Sequence, residues 1–517
     1  MSDPASAAAP AGVVGAGTMG AGIAQIAAVA GRRVLLADSA PGAAEAAIAA
    51  IRERVKERVA KGRLSVDPDA LQITAASVER LGECDIVVEA VVEDLAVKKA
   101  LFASLEEVVA PGAILASNTS SLSPTAIAAG LAHPERVVGL HFFNPVPAMK
   151  LVEVVSGLAT SPAVADAAAD LAAAWGKTVV RSAATPAFIV NRIARPFYAE
   201  AWRLLEEHAT VAENIDAVLT GAGGFRMGPF TLMDLVGHDV NEAVTRSVWS
   251  AFGCDPRFAP SLAQRALVEA GRFGRKSGRG VYANGEPPAA SPAATPGVAA
   301  PVSVVSRGTS PLAPLLARSG VTVRVGDGAG DILAGLPEGL VELPSGGLLA
   351  QCAGATATSL AAAFERPVIV IDRVLDPATA TAIAVAPSDG CPSGTLAEAV
   401  ALLQAGGLSV FVIDDVPGLI VTRTVSMLVN LAADALSARV AIADDIEVAM
   451  CLGVNYPLGP LAWGGRWGVR SVLTVLDGLE NWYRDGHYRA SSLLRRWALS
   501  ERTLPGQMLP PQAESGN

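Results

Sequence analysis

A six-residue run near the start of the chain constrains the fold more than any other feature. Ala11–Val14 is a short apolar strand pattern. It leads into Gly15-Ala-Gly17-Thr18-Met19-Gly20, after which Ile23, Ile26, Ala27 and Ala30 recur at helical spacing. Arg33-Val-Leu-Leu-Ala-Asp38 is then a second short strand ending in an acid. A GxGxxG run alone is weak evidence. Set between a strand and a helix, and followed by a strand that ends in an acid, it specifies a dinucleotide-binding βαβ unit. Gly15 permits the tight turn, Gly17 lets the backbone approach a pyrophosphate, and Gly20 lets the helix pack closely. The free N–H groups and partial positive charge of the helix N-terminus face the phosphates. Gly15, Gly17, Thr18, Met19 and Gly20 are therefore the expected cofactor turn, and Asp38 is placed to accept from the adenosine ribose hydroxyls, favouring NAD over NADP.

The same stretch has no charged side chain between Asp3 and Arg32, a length that could cross a bilayer. Six glycines between positions 12 and 31 would make a poor span, and the one early charge is acidic where a secretory leader wants basic groups. Neither a membrane span nor a leader is expected. The 517 residues carry a net charge of −10, which argues against a general nucleic-acid or anionic-membrane surface. Cysteines at 84, 254, 352, 391 and 451 have no CxxC spacing, and the five histidines are scattered. No metal site or disulfide framework is expected, and a reducing cytoplasm fits.

Residues 42–63 form an amphipathic helix pattern, apolar at Ile48, Ile51, Val55 and Val59. Its other face carries Arg52, Arg54, Lys56, Arg58, Lys61 and Arg63 against Glu53 and Glu57. That net +4 patch on an acidic protein can seat a phosphate-rich ligand or stand as a solvated face. Three more strand patterns follow, and each puts polar residues at its C-terminal end: Glu93 and Lys98 after 85–91, Asn118 and Ser120 after 113–117, His141 and Asn144 after 136–140. Open parallel sheets bind ligands along that edge.

Twelve residues beyond His141, Lys150-Leu-Val-Glu153-Val-Val is a strand with one acid among apolar residues. A buried carboxylate needs a partner. If this strand folds back beside its predecessor, Glu153 holds one imidazole nitrogen and leaves the other as a general base. Oxidation of a secondary alcohol by NAD requires such a base. Ser120 and Asn191 are the polar candidates to fix the substrate oxygen.

Taken together, Gly15–Gly20, Ser117-Asn-Thr-Ser-Ser121, His141-Phe-Phe-Asn-Pro-Val-Pro147, Lys150-Leu-Val-Glu153, Phe188-Ile-Val-Asn-Arg192 and Gly228-Pro229 resemble the 3-hydroxyacyl-CoA dehydrogenase family over residues 11 to about 284. The resemblance implies His141 as catalytic base with Glu153 behind it, and Ser120 and Asn191 on the substrate oxygen. It implies NAD contacts from Asp38, Glu93, Lys98, Asn144 and Lys276. It also brings coenzyme A near the basic helix, giving Lys61 and Arg54 as candidate contacts, although Arg54 stands where the family often has serine.

The chain then repeats itself. At a constant offset of 231, Pro186 matches Pro417, Ile189-Val190 match Ile420-Val421, Arg192 matches Arg423, Ile215 matches Ile446, and Gly228-Pro229 match Gly459-Pro460. Asn191 meets Thr422, so the second copy lacks that polar group. Leu312–Asp327 imitates Ile23–Asp38, but the stretch before it has no GxGxxG, so a second cofactor is not expected. The expected organisation is a Rossmann NAD-binding domain over 1–184, an all-α domain over 185–284, and a Pro/Ala/Gly-rich linker over 285–301. A degenerate Rossmann-like domain over 302–406, a second all-α domain over 407–500 and a tail over 501–517 complete it. The helix opened by Thr185-Pro186 should run to about His208 with a kink at Pro196.

This long arrangement resembles the 3-hydroxybutyryl-CoA and 3-hydroxyadipyl-CoA dehydrogenase types within the family. That resemblance implies an acyl-CoA substrate in fatty-acid or phenylacetate-type degradation. The second copy would give a monomer with an internal pseudo-dimer, or else a homodimer. The alternatives are a dehydrogenase of a non-CoA hydroxy acid and a non-catalytic NAD-binding protein.

Overall fold

A computed structural model describes residues 9–295, 297–326 and 339–500. The chain divides into two compact units, one of Met1–Arg192 with Ala435–Val454 and one of Ile193–Asp434 with Asn455–Asn517.

In the first unit the chain runs β1 (Ala11–Val14), α1 (Thr18–Val29), β2 (Val34–Ala37), α2 (Ala43–Ala60), β3 (Ile73–Ala75), β4 (Ile86–Glu89), α3 (Leu95–Val108), β5 (Ile114–Ser117) and α4 (Pro124–Ala128). It continues as β6 (Val137–Phe142), β7 (Leu151–Ser156), α5 (Pro162–Ala174) and β8 (Thr178–Ala183). These strands form one sheet in the order β3-β2-β1-β4-β5-β6-β7-β8. Every neighbouring pair is parallel except β6 and β7, which run antiparallel. The central strands β1, β2, β4 and β5 are buried at every residue, because helices cover both faces. Alternate residues serve opposite faces: Val13, Leu36 and Val88 join one core, while Val14, Leu35 and Val87 join the other.

The helix expected from Thr185 starts late and is broken. It is α6 (Val190–Ile193) followed by α7 (Arg195–Glu206). Ala187 and Phe188 have positive φ, 64° and 52°, which no α-helix tolerates. The interruption at Ala194 comes just before Pro196, which sits in the first turn of α7.

The second unit then continues with α8 (Ala212–Gly221), α9 (Pro229–Val236), α10 (His238–Ala251) and α11 (Leu262–Glu269). A second layer of strands and helices follows: β9 (Ser303–Ser306), α12 (Ala313–Arg318), β10 (Thr322–Val325), β11 (Val341–Glu342), β12 (Leu348–Gln351), α13 (Ala357–Phe364), β13 (Val368–Ile371), β14 (Ala382–Pro387), α14 (Ser393–Ala405) and β15 (Ser409–Val412). They make a mixed sheet in the order β10-β9-β11-β12-β13-β14-β15. The sheet takes in β15, beyond the boundary at 406 that the sequence suggested. β15 pairs with β14 in parallel, as β8 does with β7. Asp327, the expected counterpart of Asp38, lies outside the described residues, as does the tail over 501–517. The segment 285–301 is docked in its described part. Ala293 N–H donates to Val410 O (2.7 Å), and the Thr295 hydroxyl donates to Gln404 Oε1 (2.7 Å).

The described residues close with α15 (Val421–Ser437), α16 (Ala443–Gly453), α17 (Pro460–Trp467), α18 (Val469–Tyr483) and α19 (Ser492–Leu499). Within the second unit the two helical copies meet around Glu200 of α7. This buried carboxylate receives His487 Nε2 at 2.7 Å and the Tyr488 hydroxyl at 2.8 Å, with Arg423 Nε at 3.7 Å. Burial alone would raise the Glu200 pKa. The His487 and arginine charges outweigh it and hold the group below the usual carboxylate range. Helix α16 belongs to the first unit and packs on β7 and β8. No helix among the described residues is long and apolar enough to cross a membrane.

Candidate active site

The glycine turn is built from the residues its pattern names. Gly15 has φ +100°, and a Cβ there would stand 2.5 Å from Ala90 O. A Cβ on Gly20 would stand 1.8 Å from Gly15 O, so its bareness lets the helix seat against the turn itself. A Cβ on Gly17 would meet nothing within 4 Å. The peptide there is exposed, with room for a pyrophosphate, and Gly17 starts α1 without a side-chain cap. Asp38, at the end of β2, accepts from Ala16 N (2.6 Å) and Ala40 N (2.8 Å), tying the strand to the turn.

His141 and Glu153 are direct cross-strand partners in the β6–β7 pair. Nδ1 of His141 lies 2.5 Å from Oε2 of Glu153, and both side chains are buried. The other carboxylate oxygen, Oε1, accepts from Ile189 N and Val190 N, each at 3.1 Å. The left-handed residues Ala187 and Phe188 turn those two N–H groups toward the sheet. A carboxylate fixed on both oxygens keeps the proton on Nδ1 and leaves Nε2 as the basic nitrogen. Phe143 and Phe188 flank the ring at 4.5 and 5.8 Å between centroids.

The loop after β5 braces this pair. Asn118 Oδ1 accepts from Phe142 N at 2.9 Å, fixing the end of β6 next to His141. Glu93, expected at the cofactor, uses Oε1 on the Thr119 hydroxyl (2.6 Å), Ser120 N and Ser121 N (3.1 Å each), and its Oε2 pairs with Lys98 at 3.2 Å. Burial would raise its pKa, but Thr119, Lys98 and Ser121 hold it below the usual range. Lys98 is itself buried, 2.5 Å from Glu89 Oε1. Glu89 also takes the Ser117 hydroxyl at 2.7 Å. Sequence reasoning passed over Glu89, although an acid at the end of an otherwise apolar strand was the available signal. Ser120 is partly exposed on this loop and Asn191 lies in α6, both in the first unit with His141. Lys276 lies in the second unit, where it pairs with Asp239 at 2.6 Å.

A cleft of about 430 Å³ opens beside the glycine turn. Thr18, Gly22 and Gln25 of α1, Arg54 and Arg58 of α2, and Asn144–Ala148 line it. Arg54 Nε donates to Gln25 Oε1 at 3.2 Å. Lys61 caps the end of α2 and is not among the lining residues, whereas Arg58 is. Lys177 steadies the cleft wall by donating to Val146 O (2.5 Å) and Met149 O (2.7 Å). Its pKa falls to about 8 through burial and the nearby charge of Arg58.

At the same offset of 231, the second copy places Asp372 where the first has His141, and Ala384 where it has Glu153. Asp372 accepts from Ile420 N (3.0 Å) and Val421 N (2.7 Å), the counterparts of the two groups on Glu153, and also from Thr422 N (3.0 Å). The second copy has kept the clamp on the helix start while the position of the base holds an acid. Among the described residues no cluster of side chains fits a metal ion, and the five cysteines are free.

A doubly wound sheet with this turn at its switch point defines a dinucleotide-binding protein. Comparison with known proteins narrows the class. Residues 10–185 match the 3-hydroxyacyl-CoA dehydrogenase NAD-binding domain, and residues 188–284 and 418–504 both match that family's C-terminal domain. Residues 349–417 match the 3-hydroxybutyryl-CoA dehydrogenase reduced Rossmann-fold domain. The chain belongs to the 3-hydroxyacyl-CoA dehydrogenase family, in its long two-copy form. It is 45% identical over 493 residues to a 3-hydroxyadipyl-CoA dehydrogenase of Escherichia coli K12, covering 95% of this chain and 97% of that one. It is 40% identical over 281 residues to the mitochondrial hydroxyacyl-coenzyme A dehydrogenase of Sus scrofa, covering 52% of this chain and 89% of that one. The crystal structure of 3-hydroxybutyryl-CoA dehydrogenase from E. coli K12 superposes with a TM-score of 0.85 at 44% identity, covering 96% of this chain and 99% of that one.

Proposed function

We propose that this protein oxidises an (S)-3-hydroxyacyl-CoA to the 3-oxoacyl-CoA, reversibly, with NAD as acceptor. The observation that carries the reading is the buried His141–Glu153 pair at 2.5 Å in the same unit as the glycine turn. NAD, held by the glycine turn and Asp38, would supply a hydride acceptor for carbon 3 of the substrate. His141 Nε2 takes the hydroxyl proton as the carbonyl forms, so the C–H and O–H bonds break and a C=O bond is made. Glu153 holds Nδ1–H throughout and stabilises the imidazolium that results. Ser120 and Asn191 orient the substrate oxygen. The glycine turn and Asp38 hold the dinucleotide, and the open space at Gly17 suits its pyrophosphate. Arg54 and Arg58 suit the phosphates of the CoA portion, with Lys177 supporting the wall opposite.

The four-carbon and adipyl chains are the substrates in the names of the two full-length relatives compared above. They point to fatty-acid or phenylacetate-type degradation as the setting. The second copy fills the place of a partner subunit, giving a monomer with an internal pseudo-dimer. The test is reduction of acetoacetyl-CoA and of 3-oxoadipyl-CoA, followed by loss of NADH absorbance, with NADPH in parallel. Turnover of at least one thioester with preference for NADH is expected. Turnover of free 3-hydroxy acids but of neither thioester would overturn the substrate class.

A further inference from the structure

The two copies exchange a helix. Helix α8 of the first copy packs on β14 of the second sheet, and α16, its counterpart at offset 231, packs on β7 and β8 of the first. The contacts are reciprocal. Asp414 N donates to Ala209 O (2.9 Å) in the second unit, and Ala183 N donates to Val440 O (2.8 Å) in the first. Asp414 and Val440 are the offset counterparts of Ala183 and Ala209, so each contact is the other with its partners interchanged. Each unit therefore pairs one copy's sheet with the other copy's helix through the same contact.

The exchanged helix reaches the residues that hold the dyad. Asp445 accepts from Arg181 N at 3.1 Å on β8. At the end of α16, a Cβ on Gly453 would stand 2.8 Å from Leu151 Cδ2 and 2.9 Å from Val190 Cγ2. Leu151 lies on β7, two residues before Glu153. Val190 is one of the two residues whose N–H groups grip Glu153 Oε1. Both side chains are fully buried, and Val190, branched at Cβ, carries the pressed Cγ2 one bond from its backbone-attached carbon, so a carbon at Gly453 bears on the Val190 backbone. A group pressed on Val190 from α16 therefore shifts the carboxylate that orients His141, and catalytic groups tolerate little displacement.

Resting on the dehydrogenase reading above, we propose that α16 is a positioning element for the His141–Glu153 pair, with Gly453 as its contact residue. The catalytically blank half of the chain is then needed for turnover because it supplies this helix.

The test is a set of full-length variants. Gly453→Val should lower kcat roughly 10–100-fold while KM for NAD stays within about twofold, because the glycine turn and Asp38 are not touched, and any rise in acyl-CoA KM through Asn191, next to Val190, should stay well below the fall in kcat. Gly453→Ala keeps the test decisive if the valine variant fails to fold. It should lower kcat by about threefold or more, and adding Leu151→Ala, which opens space on the same side, should restore most of it. Unchanged kcat in a folded Gly453→Ala enzyme would overturn the proposal, as would a rise in KM without a fall in kcat. An inactive wild-type enzyme would instead overturn the dehydrogenase reading, so the two failures are distinguishable.

Discussion

Replacing Glu153 by glutamine separates the chemical role of the carboxylate from its structural one. The side chain keeps its shape, and the question is which way the amide sits. Two backbone N–H groups, from Ile189 and Val190, point at Oε1 from 3.1 Å. They demand an acceptor, so the amide oxygen takes that place and the NH2 faces His141 Nδ1. The imidazole must then accept at Nδ1 and carry its proton on Nε2, the nitrogen proposed as the base. The enzyme would hold the wrong tautomer in an almost unchanged frame. Loss of a positioned general base costs on the order of 10²–10⁴ in rate, or about 3–5 kcal/mol at 1.36 kcal/mol per factor of ten. Stability should change by no more than about 1–2 kcal/mol, since the lost charge-assisted bond is offset by burying a neutral group instead of a charge. Glu153→Ala should behave differently, because two buried N–H groups lose their acceptor at about 1–3 kcal/mol each. The assay is kcat by NADH absorbance alongside thermal unfolding and NAD titration. A glutamine variant that keeps more than a tenth of wild-type kcat would refute the tautomer argument.

Three further outcomes are expected. Arg54→Ala combined with Arg58→Ala should raise KM for acyl-CoA roughly 10–100-fold and leave turnover of the matching pantetheine thioester, which lacks the nucleotide phosphates, unchanged. Equal effects on both substrates would remove these arginines from phosphate binding. Gly20→Ala forces a carbon into Gly15 O and should weaken NAD binding at least about tenfold and cost about 1–3 kcal/mol of stability. An unchanged NAD titration would contradict the turn geometry. Glu200 has a lowered folded pKa, so its stabilising contribution is present above the ordinary carboxylate value of 4.5 and is lost as pH falls below it. Glu200→Gln should be clearly less stable than wild type at neutral pH, with the gap narrowing toward pH 4 and below in urea unfolding. A gap independent of pH would contradict the ionised assignment.

The parts of the site that depend on local pattern were legible in the sequence. The glycine turn is a local backbone requirement. The His141–Glu153 pair is a spacing that only an antiparallel return can use, and β6 and β7 make that return. What escaped depends on tertiary choice. The start of α6 looked like Thr185-Pro186, because propensity says nothing of two left-handed residues kept by a carboxylate on another strand. The family resemblance offers Glu93 and Lys98 as cofactor contacts, but the sequence could not show that Glu93 also ties down the loop over 119–121 or that Lys98 also pairs with the buried Glu89. The repeat showed that the copies are alike, but a constant offset cannot say which sheet each copy of a helix will cover. Carried back a further forty-five residues, from Pro186 to His141, the same offset would have exposed Asp372 and Ala384 as the erased dyad.

The mechanism proposed for this enzyme rests on one imidazole nitrogen, Nε2 of His141, left as the proton acceptor because Glu153 binds the N–H at Nδ1. The direct measurement is single-turnover reduction of acetoacetyl-CoA by His141→Gln with NADH already bound. NADH affinity should stay within about twofold of wild type while the chemical step slows by roughly 10²–10⁴. A chemical step at the wild-type rate in that variant would contradict it.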